Sequence, residues 1–162
     1  MTSIDFSPPC IEHMRARNAG TRPSLRFLVA DVTTMALEGG SFDVAVEKGL
    51  LDAMVCAPGS SAAAGVAAMM DGVVHALAPG GVFVLVSYGP PSERLKWVDP
   101  QRRGLATDIW TLLKPGALSQ AAGADGPQEG GPPQQQPQRF SFGDEADGKR
   151  HFIYVFTKQA TA

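Results

Sequence analysis

Three acidic residues follow apolar runs at points where predicted strands end. They are Asp5, Asp31 and Glu47. In a doubly wound sheet the carboxyl ends of parallel strands form the ligand crevice, so we expect these carboxylates to face a common cleft. One could accept both hydroxyls of a ribose, and another could accept the exocyclic amine of adenine. Each acid alone is more often a solvated turn residue or a helix cap, but three together, each after an apolar run, favour a nucleotide-like ligand.

Two segments have the pattern of helices that would support such a cleft. Residues 10–18, "CIEHMRARN", follow Ser7-Pro8-Pro9, where Ser can cap exposed amides and Pro fits the first turn. Between Ala62 and Leu77 the apolar residues recur at intervals of three and four, and the pattern stops at Pro79-Gly80-Gly81. We therefore predict a helix in each segment.

Six apolar stretches are strand candidates. The run "VFVLVSYG" is apolar on both faces, as a covered parallel strand requires. "TDIWTLL" and "HFIYVFTK" have no predicted helix between them, so we expect them to pair antiparallel as a C-terminal hairpin. The order of strands and helices predicts the α/β class, with helices packed on a mainly parallel sheet. The stretches are residues 3–6, 25–31, 42–47, 82–89, 107–113 and 151–158.

The composition argues against several classes of protein. The chain has 162 residues, of which 44% are apolar, and a net charge of -2, which suits one domain. Its Lys and Arg residues are scattered, so we expect no nucleic-acid partner. Its first residues, "MTSIDFSPPC", do not show a basic segment followed by a long apolar one, and about 18 apolar residues nowhere run together, so we expect no membrane partner and a cytoplasmic location. The two cysteines and three histidines are not spaced as ligands, so we expect no metal.

Residues 115–147 differ from the rest of the chain. They contain "GPQEGGPPQQQPQ" and are rich in Gly, Pro and Gln, so they cannot bury enough apolar surface to offset the entropy lost on ordering. We predict a disordered insertion within a single domain over residues 1–162. We favour a tolerated surface insertion over a Pro-rich recognition motif.

At the family level, the sequence resembles the class I S-adenosylmethionine-dependent methyltransferases. "SIDFSPPCIEHMRARN", "LRFLVADVTTMALEGGSFDVAVEKGLLDAM" and "LAPGGVFVLVSYGPPSERL" are similar to the methyltransferase-like branch that includes the lysine methyltransferases of elongation factor 1A. The most specific element is "(D/E)KGxLDA", which begins at Glu47. Leu50 departs from the Thr usual there. The resemblance implies a Rossmann-like, mostly parallel sheet, and methyl transfer from S-adenosylmethionine to a lysine of a protein substrate.

The resemblance also implies which residues hold the cofactor. Asp5 would bind the ribose hydroxyls, and Asp31 with the amide of Val32 would bind adenine. Residues 47–49 would line the methionine and methyl-donor end, where a glycine removes a side chain that would obstruct the approach. The implied cofactor-binding residues are Asp5, Phe6, Asp31, Val32, Glu47, Lys48 and Gly49.

A lysine acceptor makes a further demand on the site. Its amine has a pKa of about 10.4 and must lose a proton before it attacks. Glu47 and Asp52 are the candidate catalytic residues, because either could orient the ammonium. Tyr88 or Trp97 could contact it by cation-π attraction.

The family's first strand and the glycine-rich loop after it are not found before "SIDF". In the family this strand lies between the strand containing Asp5 and that of residues 42–46. We therefore interpret the chain as truncated at the N-terminus and expect two unpaired central sheet edges. We also expect weak or absent cofactor binding by the chain on its own.

Two other functions compete with this interpretation. A catalytically dead methyltransferase-like protein could use the same surface to bind a partner protein. A dinucleotide oxidoreductase is disfavoured, since it also needs a glycine-rich turn and the "(D/E)KG" element has no role in hydride transfer. The sequence indicates neither the identity of the methyl acceptor nor the oligomeric state.

Overall fold

A computed structural model describes residues 1–56, 62–114, 136–141 and 148–160. Helices and strands alternate through most of this part of the chain. The elements are β1 (Thr2–Asp5), α1 (Pro8–Asn18), β2 (Arg26–Val29), β3 (Phe42–Lys48), α2 (Leu50–Cys56), α3 (Ala62–Ala76), β4 (Leu77–Ser87), α4 (Pro91–Val98), β5 (Leu105–Leu113), β6 (Gln138–Arg139) and β7 (Arg150–Lys158).

The strands form two sheets. β1 and β2 pair in parallel as a two-stranded sheet, and the other strands form a five-stranded sheet in the order β3-β4-β7-β5-β6. β3 and β4 are parallel, and β7 runs antiparallel between β4 and β5. The predicted α/β class and the antiparallel pairing of the two C-terminal strands are thus confirmed.

The core lies between α3 and the five-stranded sheet. The helical face predicted from three- and four-residue spacing is buried, with Val66, Met69 and Met70 at most 1% exposed. Strands β4 and β7 contribute Phe83 and Tyr154 to the same cluster. Burying a large apolar side chain stabilises a fold by roughly 1.5–3 kcal/mol, so this contact holds α3 on the sheet.

Helix α1 anchors the two-stranded sheet. As predicted, Ser7 caps it, because its hydroxyl accepts a hydrogen bond from the amide of Cys10 at 3.5 Å. Ile11 is 1% exposed, and the Arg15 guanidinium donates to the carbonyl of Phe27 at 2.6 Å. None of the described helices is both long and apolar enough to span a membrane.

β4 begins earlier than predicted. It starts at Leu77, directly after α3, and Pro79-Gly80-Gly81 lies within it rather than before it. The pairing with β3 is irregular there, since Phe42 is opposite Leu77 and Val44 is opposite Val82. At the abrupt end of α3 the Lys158 ammonium donates hydrogen bonds to the carbonyls of Val74 and Leu77. The last carbonyls of a helix need such donors from outside it.

Three further elements were not predicted. Helices α2 and α4 are short, and their burial depends on neighbours distant in sequence. The predicted insertion at residues 115–147 lies mostly outside the described residues, but residues 136–141 are described. There β6 pairs with Trp110 and Thr111 of β5, and Phe140 packs against the core.

Candidate functional site

A cavity of about 1170 Å³ lies beside β1 and β3. The three carboxylates predicted to converge, those of Asp5, Asp31 and Glu47, all line it. Six of the seven predicted cofactor-binding residues belong to the lining, the exception being Gly49. The lining residues among them are Asp5, Phe6, Asp31, Val32, Glu47 and Lys48.

Asp5 and Asp31 are each held by a local turn. Asp5 is the last residue of β1, and its Oδ1 accepts the amide of Ser7 at 2.8 Å. Oδ1 of Asp31 accepts the amide of Thr33 at 2.8 Å and its hydroxyl at 2.7 Å. These two bonds hold the pKa of Asp31 below its ordinary value. Both carboxylates thus accept hydrogen bonds within local turns, as expected of a turn residue, and both also line the cavity.

Glu47 is the most perturbed of the three acids. Its Oε2 accepts the amide of Leu50 at 2.8 Å, while Oε1 is buried with no hydrogen-bond partner in the described part of the chain. Burial raises the pKa of Glu47 to about 7. Hydrogen bonds from the amides of Leu50 and Leu51 lower this pKa, and the negative charge of Asp52 raises it, but both effects are smaller than that of burial. A buried acid with a raised pKa and an unpaired oxygen is typical of functional sites.

Gly49 turns the chain from β3 into α2. Its φ is 76°, and its amide donates to the carbonyl of Val86 at 2.9 Å. A Cβ at this position would meet no atom within 4 Å. The backbone conformation, rather than crowding within the protein, is therefore the reason for glycine here.

Asp52 lies at the centre of a polar network outside the cavity lining. Its Oδ1 accepts hydrogen bonds from the Ser87 hydroxyl and from Nε of Arg94 at 3.0 Å, and Oδ2 accepts the amide of Tyr88 at 2.9 Å. Burial alone would raise the pKa of Asp52, but these donors outweigh it and the pKa is lowered. The network ties α2 to the end of β4 and to α4. The catalytic role of Asp52 stays a prediction. Both of its carboxylate oxygens accept hydrogen bonds from within the protein.

His151 and Lys114, which the sequence did not mark as site residues, lie next to Tyr88. Tyr88 is 56% exposed, and the ring of His151 lies 4.9 Å from its ring, centroid to centroid. The Lys114 ammonium lies 5.3 Å from the centroid of the Tyr88 ring. The pKa of His151 is lowered mainly by burial and further by the positive charges of Lys114 and Lys48. The antiparallel pairing of β5 and β7 sets His151 opposite Leu112, two residues before Lys114, at one end of the sheet.

The two aromatic side chains proposed from sequence have different positions. Tyr88 is exposed just after β4, whereas Trp97 is partly buried in α4 and packs against the core. Tyr88 is the more exposed of the two, and neither belongs to the cavity lining.

An α/β fold with strand-ending carboxylates around one cavity is the arrangement of class I S-adenosylmethionine-dependent methyltransferases. Residues 1–85, just over half of the 162, match the family model described as "Methyltransferase domain". The chain belongs to this methyltransferase-domain family, whose cofactor is S-adenosylmethionine. The matched region contains every predicted cofactor-binding and catalytic residue.

Curated relatives extend the similarity. The chain is 41% identical over 87 residues to "eEF1A lysine and N-terminal methyltransferase" of Danio rerio, covering 54% of this chain and 12% of the relative. It is 36% identical over 102 residues to "EEF1A lysine methyltransferase 4" of Mus musculus, covering 59% of this chain and 40% of the relative. The chain therefore spans less than half the length of these relatives.

Solved structures share the fold. A TehB-like SAM-dependent methyltransferase from Corynebacterium glutamicum superposes with a TM-score of 0.60 at 18% identity, covering 98% of this chain and 67% of that one. The N-methyltransferase NodS from Bradyrhizobium japonicum, in complex with S-adenosyl-l-homocysteine, gives 0.55 at 16% identity, covering 98% and 66%. The Rossmann-like fold inferred from sequence is confirmed.

Proposed function

We propose that this chain forms the cofactor cleft of an S-adenosylmethionine-dependent protein lysine N-methyltransferase. The observation that carries the proposal is the convergence of Asp5, Asp31 and Glu47 on one cavity within the region that matches the methyltransferase domain. The names of the relatives support lysine as the acceptor and elongation factor 1A as the protein to test first.

The residues around the cavity suit this cofactor. Asp5 and Asp31 are acceptors for the hydroxyl and amine groups of a nucleoside. Glu47 has a buried oxygen with no partner among the described residues, next to Lys48 and the turn at Gly49. A cationic group near Glu47 would compensate the cost of burying that carboxylate. When bound, S-adenosylmethionine supplies an electrophilic methyl group on a positively charged sulfur.

The chain's own residues would act on the acceptor mainly by alignment and proton removal. In-line displacement depends on holding the two reactants at the right distance and angle. Glu47, with a pKa of about 7, can hold or accept a proton near neutral pH. The ring of Tyr88, which is exposed but outside the cavity lining, can attract the ammonium of an acceptor that approaches from that side.

We expect the 162-residue chain to bind the cofactor weakly on its own. In the described residues the cavity is bordered by β1 and β3, each of which is paired on one side only. An open site of this kind leaves the ligand in contact with water and weakens each polar contact.

We also propose a cytoplasmic location.

Titration followed by nuclear magnetic resonance tests the cofactor site, because it detects millimolar binding. We expect S-adenosylhomocysteine to shift the amide signals around Asp5, Asp31 and Glu47. Asp31→Asn should reduce the shifts, whereas the matched control Glu12→Gln should not, since Glu12 is exposed on α1 and outside the cavity.

Two results would contradict the proposal. One is the absence of any saturable shift at millimolar ligand, and the other is shifts confined to residues outside the cavity. Micromolar affinity would confirm the site and refute only the expectation of weak binding. Incubation with elongation factor 1A and labelled S-adenosylmethionine then tests the acceptor, because a methylated lysine should appear in it.

A further inference from the structure

Two residues directly after β4, Tyr88 and Gly89, form what we call the Tyr88 segment. The amide of Tyr88 donates to Oδ2 of Asp52 in α2 at 2.9 Å. The amide of Gly89 donates to the hydroxyl of Ser87 at 3.0 Å, and its carbonyl accepts the hydroxyl of Tyr154 in β7 at 2.7 Å. Connecting segments are usually the mobile parts of a fold, whereas this one is bonded to three separate elements.

The hydroxyl of Tyr154 links the core to this segment. The ring of Tyr154 is fully buried and stacks on Phe156, with 6.0 Å between the ring centroids. A phenylalanine would fill the same space in the core. A buried tyrosine hydroxyl requires a hydrogen-bond partner, and here the Gly89 carbonyl provides it. The hydroxyl therefore contributes to the position of the Tyr88 segment more than to the packing of β7.

Arg94 of α4 supports the same segment from another side. Its Nε donates to Oδ1 of Asp52 and to the hydroxyl of Ser87, both at 3.0 Å. A Cβ at Gly89 would lie 2.1 Å from Cζ of Arg94, so the glycine leaves the space that the guanidinium fills. Arg94 thus orients the two side chains that hold the amides of Tyr88 and Gly89.

The Tyr88 segment lies at the carboxyl ends of β3 and β4. Val86, two residues before Tyr88, accepts the amide of Gly49 at 2.9 Å, so the segment is next to the turn that follows Glu47. Ligands of α/β sheets bind at this end of the strands. The Tyr88 ring is 56% exposed on a backbone that is held in place. Such a ring loses little conformational entropy when it contacts a ligand.

We propose that Tyr154 and Arg94 are positioning residues, which fix the Tyr88 ring as a contact for the methyl acceptor. Asp52 contributes by holding the Tyr88 amide. The inference rests on the proposed function and adds residues from α4 and β7 to the acceptor side of the site. If the segment were released, the acceptor would bind only the fraction of molecules with the ring in place, and its apparent affinity would fall by that fraction.

Kinetics of methyl transfer to elongation factor 1A test the inference. Initial rates are measured over a range of acceptor concentrations, with S-adenosylmethionine at millimolar concentration. Tyr154→Phe should raise the KM for the acceptor about three- to tenfold, the range expected for one lost hydrogen bond, and leave kcat within about twofold. Arg94→Lys is a second variant and should act in the same direction, because lysine keeps the charge but lacks the planar fork of donors.

Thr111→Val is the matched control. Thr111 is fully buried in β5 of the same sheet, and its hydroxyl accepts a hydrogen bond from Arg150 at 3.3 Å. The substitution therefore also deletes a buried hydroxyl, but one that does not bond to the Tyr88 segment. It should leave the acceptor KM within about twofold of the parent, since separate sites without shared partners act independently.

A double-mutant cycle separates positioning from a general loss of stability. Tyr88→Leu removes the ring that Tyr154 is proposed to position. In that background Tyr154→Phe should change the acceptor KM by less than about twofold, because the two residues act through one contact. A purely structural role for Tyr154 would give the same loss in both backgrounds.

Three kinetic results would overturn the inference. They are an acceptor KM for Tyr154→Phe no higher than that for Thr111→Val, an equal effect of Tyr154→Phe with and without the Tyr88 ring, and a loss in kcat alone. A parent chain that binds S-adenosylhomocysteine but does not methylate elongation factor 1A would also overturn it and leave the cofactor site intact. Absence of cofactor binding would contradict the proposed function itself, and the inference with it.

Discussion

Replacing Glu47 by Gln should stabilise the folded chain at neutral pH and change little in acid. Burial raises the pKa of Glu47 from its ordinary 4.5 to about 7. Between these two pH values the folded chain holds a proton that the unfolded chain has lost. Stability therefore falls as the pH rises through this window. Glutamine does not ionise and is nearly the same shape, so its contribution is independent of pH.

The magnitude follows from the two pKa values. They lie about 2.5 pH units apart, from 7 minus 4.5, and one unit corresponds to ~1.4 kcal/mol. Above pH 7 the ionised carboxylate therefore lowers the free energy of unfolding by about 3 kcal/mol. For a chain of this size ~1 kcal/mol changes Tm by roughly 2–4 °C. The Gln variant should thus melt about 6–12 °C higher than the parent at pH 8, and at nearly the same temperature near pH 4.5.

Differential scanning calorimetry between pH 5 and pH 8 measures this difference. Glu12→Gln is the matched control, because Glu12 is exposed, and its effect on Tm should be small at every pH. The reasoning is refuted if the advantage of Glu47→Gln does not grow with pH, or if that variant melts below the parent at pH 8.

Three other predictions concern the same region. Affinity for S-adenosylmethionine should rise from pH 5 to pH 7, because its sulfonium favours the ionised form of Glu47. Affinity for S-adenosylhomocysteine, whose sulfur is uncharged, should not rise. Titration of the parent and of Glu47→Gln with both ligands checks this. Asp52→Asn should destabilise the fold by about 2–4 kcal/mol in urea unfolding, because it leaves the Arg94 charge, only 11% exposed, without its partner. The control Asp71→Asn should cost less than about 1 kcal/mol, because Asp71 is 69% exposed. Gly49→Ala should cost about 1–2 kcal/mol because φ is 76° there, and a Gly49→Asn variant that unfolds no later in urea than Gly49→Ala would contradict the explanation by backbone conformation.

Local signals in the sequence predicted the elements that position the site. The spacing of apolar residues predicted α3, the Ser7 cap predicted the start of α1, and apolar runs predicted β3 and β7. Such signals are readable because each helix turn or strand face repeats within a few residues. The position of acids after three apolar runs was also enough to predict one shared cavity.

Short elements and register were not readable in this way. Helix α4 is held partly by the bond from Arg94 to Asp52, which lies 42 residues away in sequence. Strand β6 has only two residues, and its strand geometry depends on β5. Neither segment is long enough for its own periodicity to distinguish helix, strand and loop.

The sequence by itself determined the α/β class, the order of the main elements and the family to which the chain belongs, because all three depend on local patterns and motifs. The tertiary structure alone decided what the site residues do. Burial raises the pKa of Glu47, while donors from α4 and from the end of β4 engage Asp52. Two acids five residues apart acquire different environments because burial and hydrogen bonding are set by neighbours that only folding brings together.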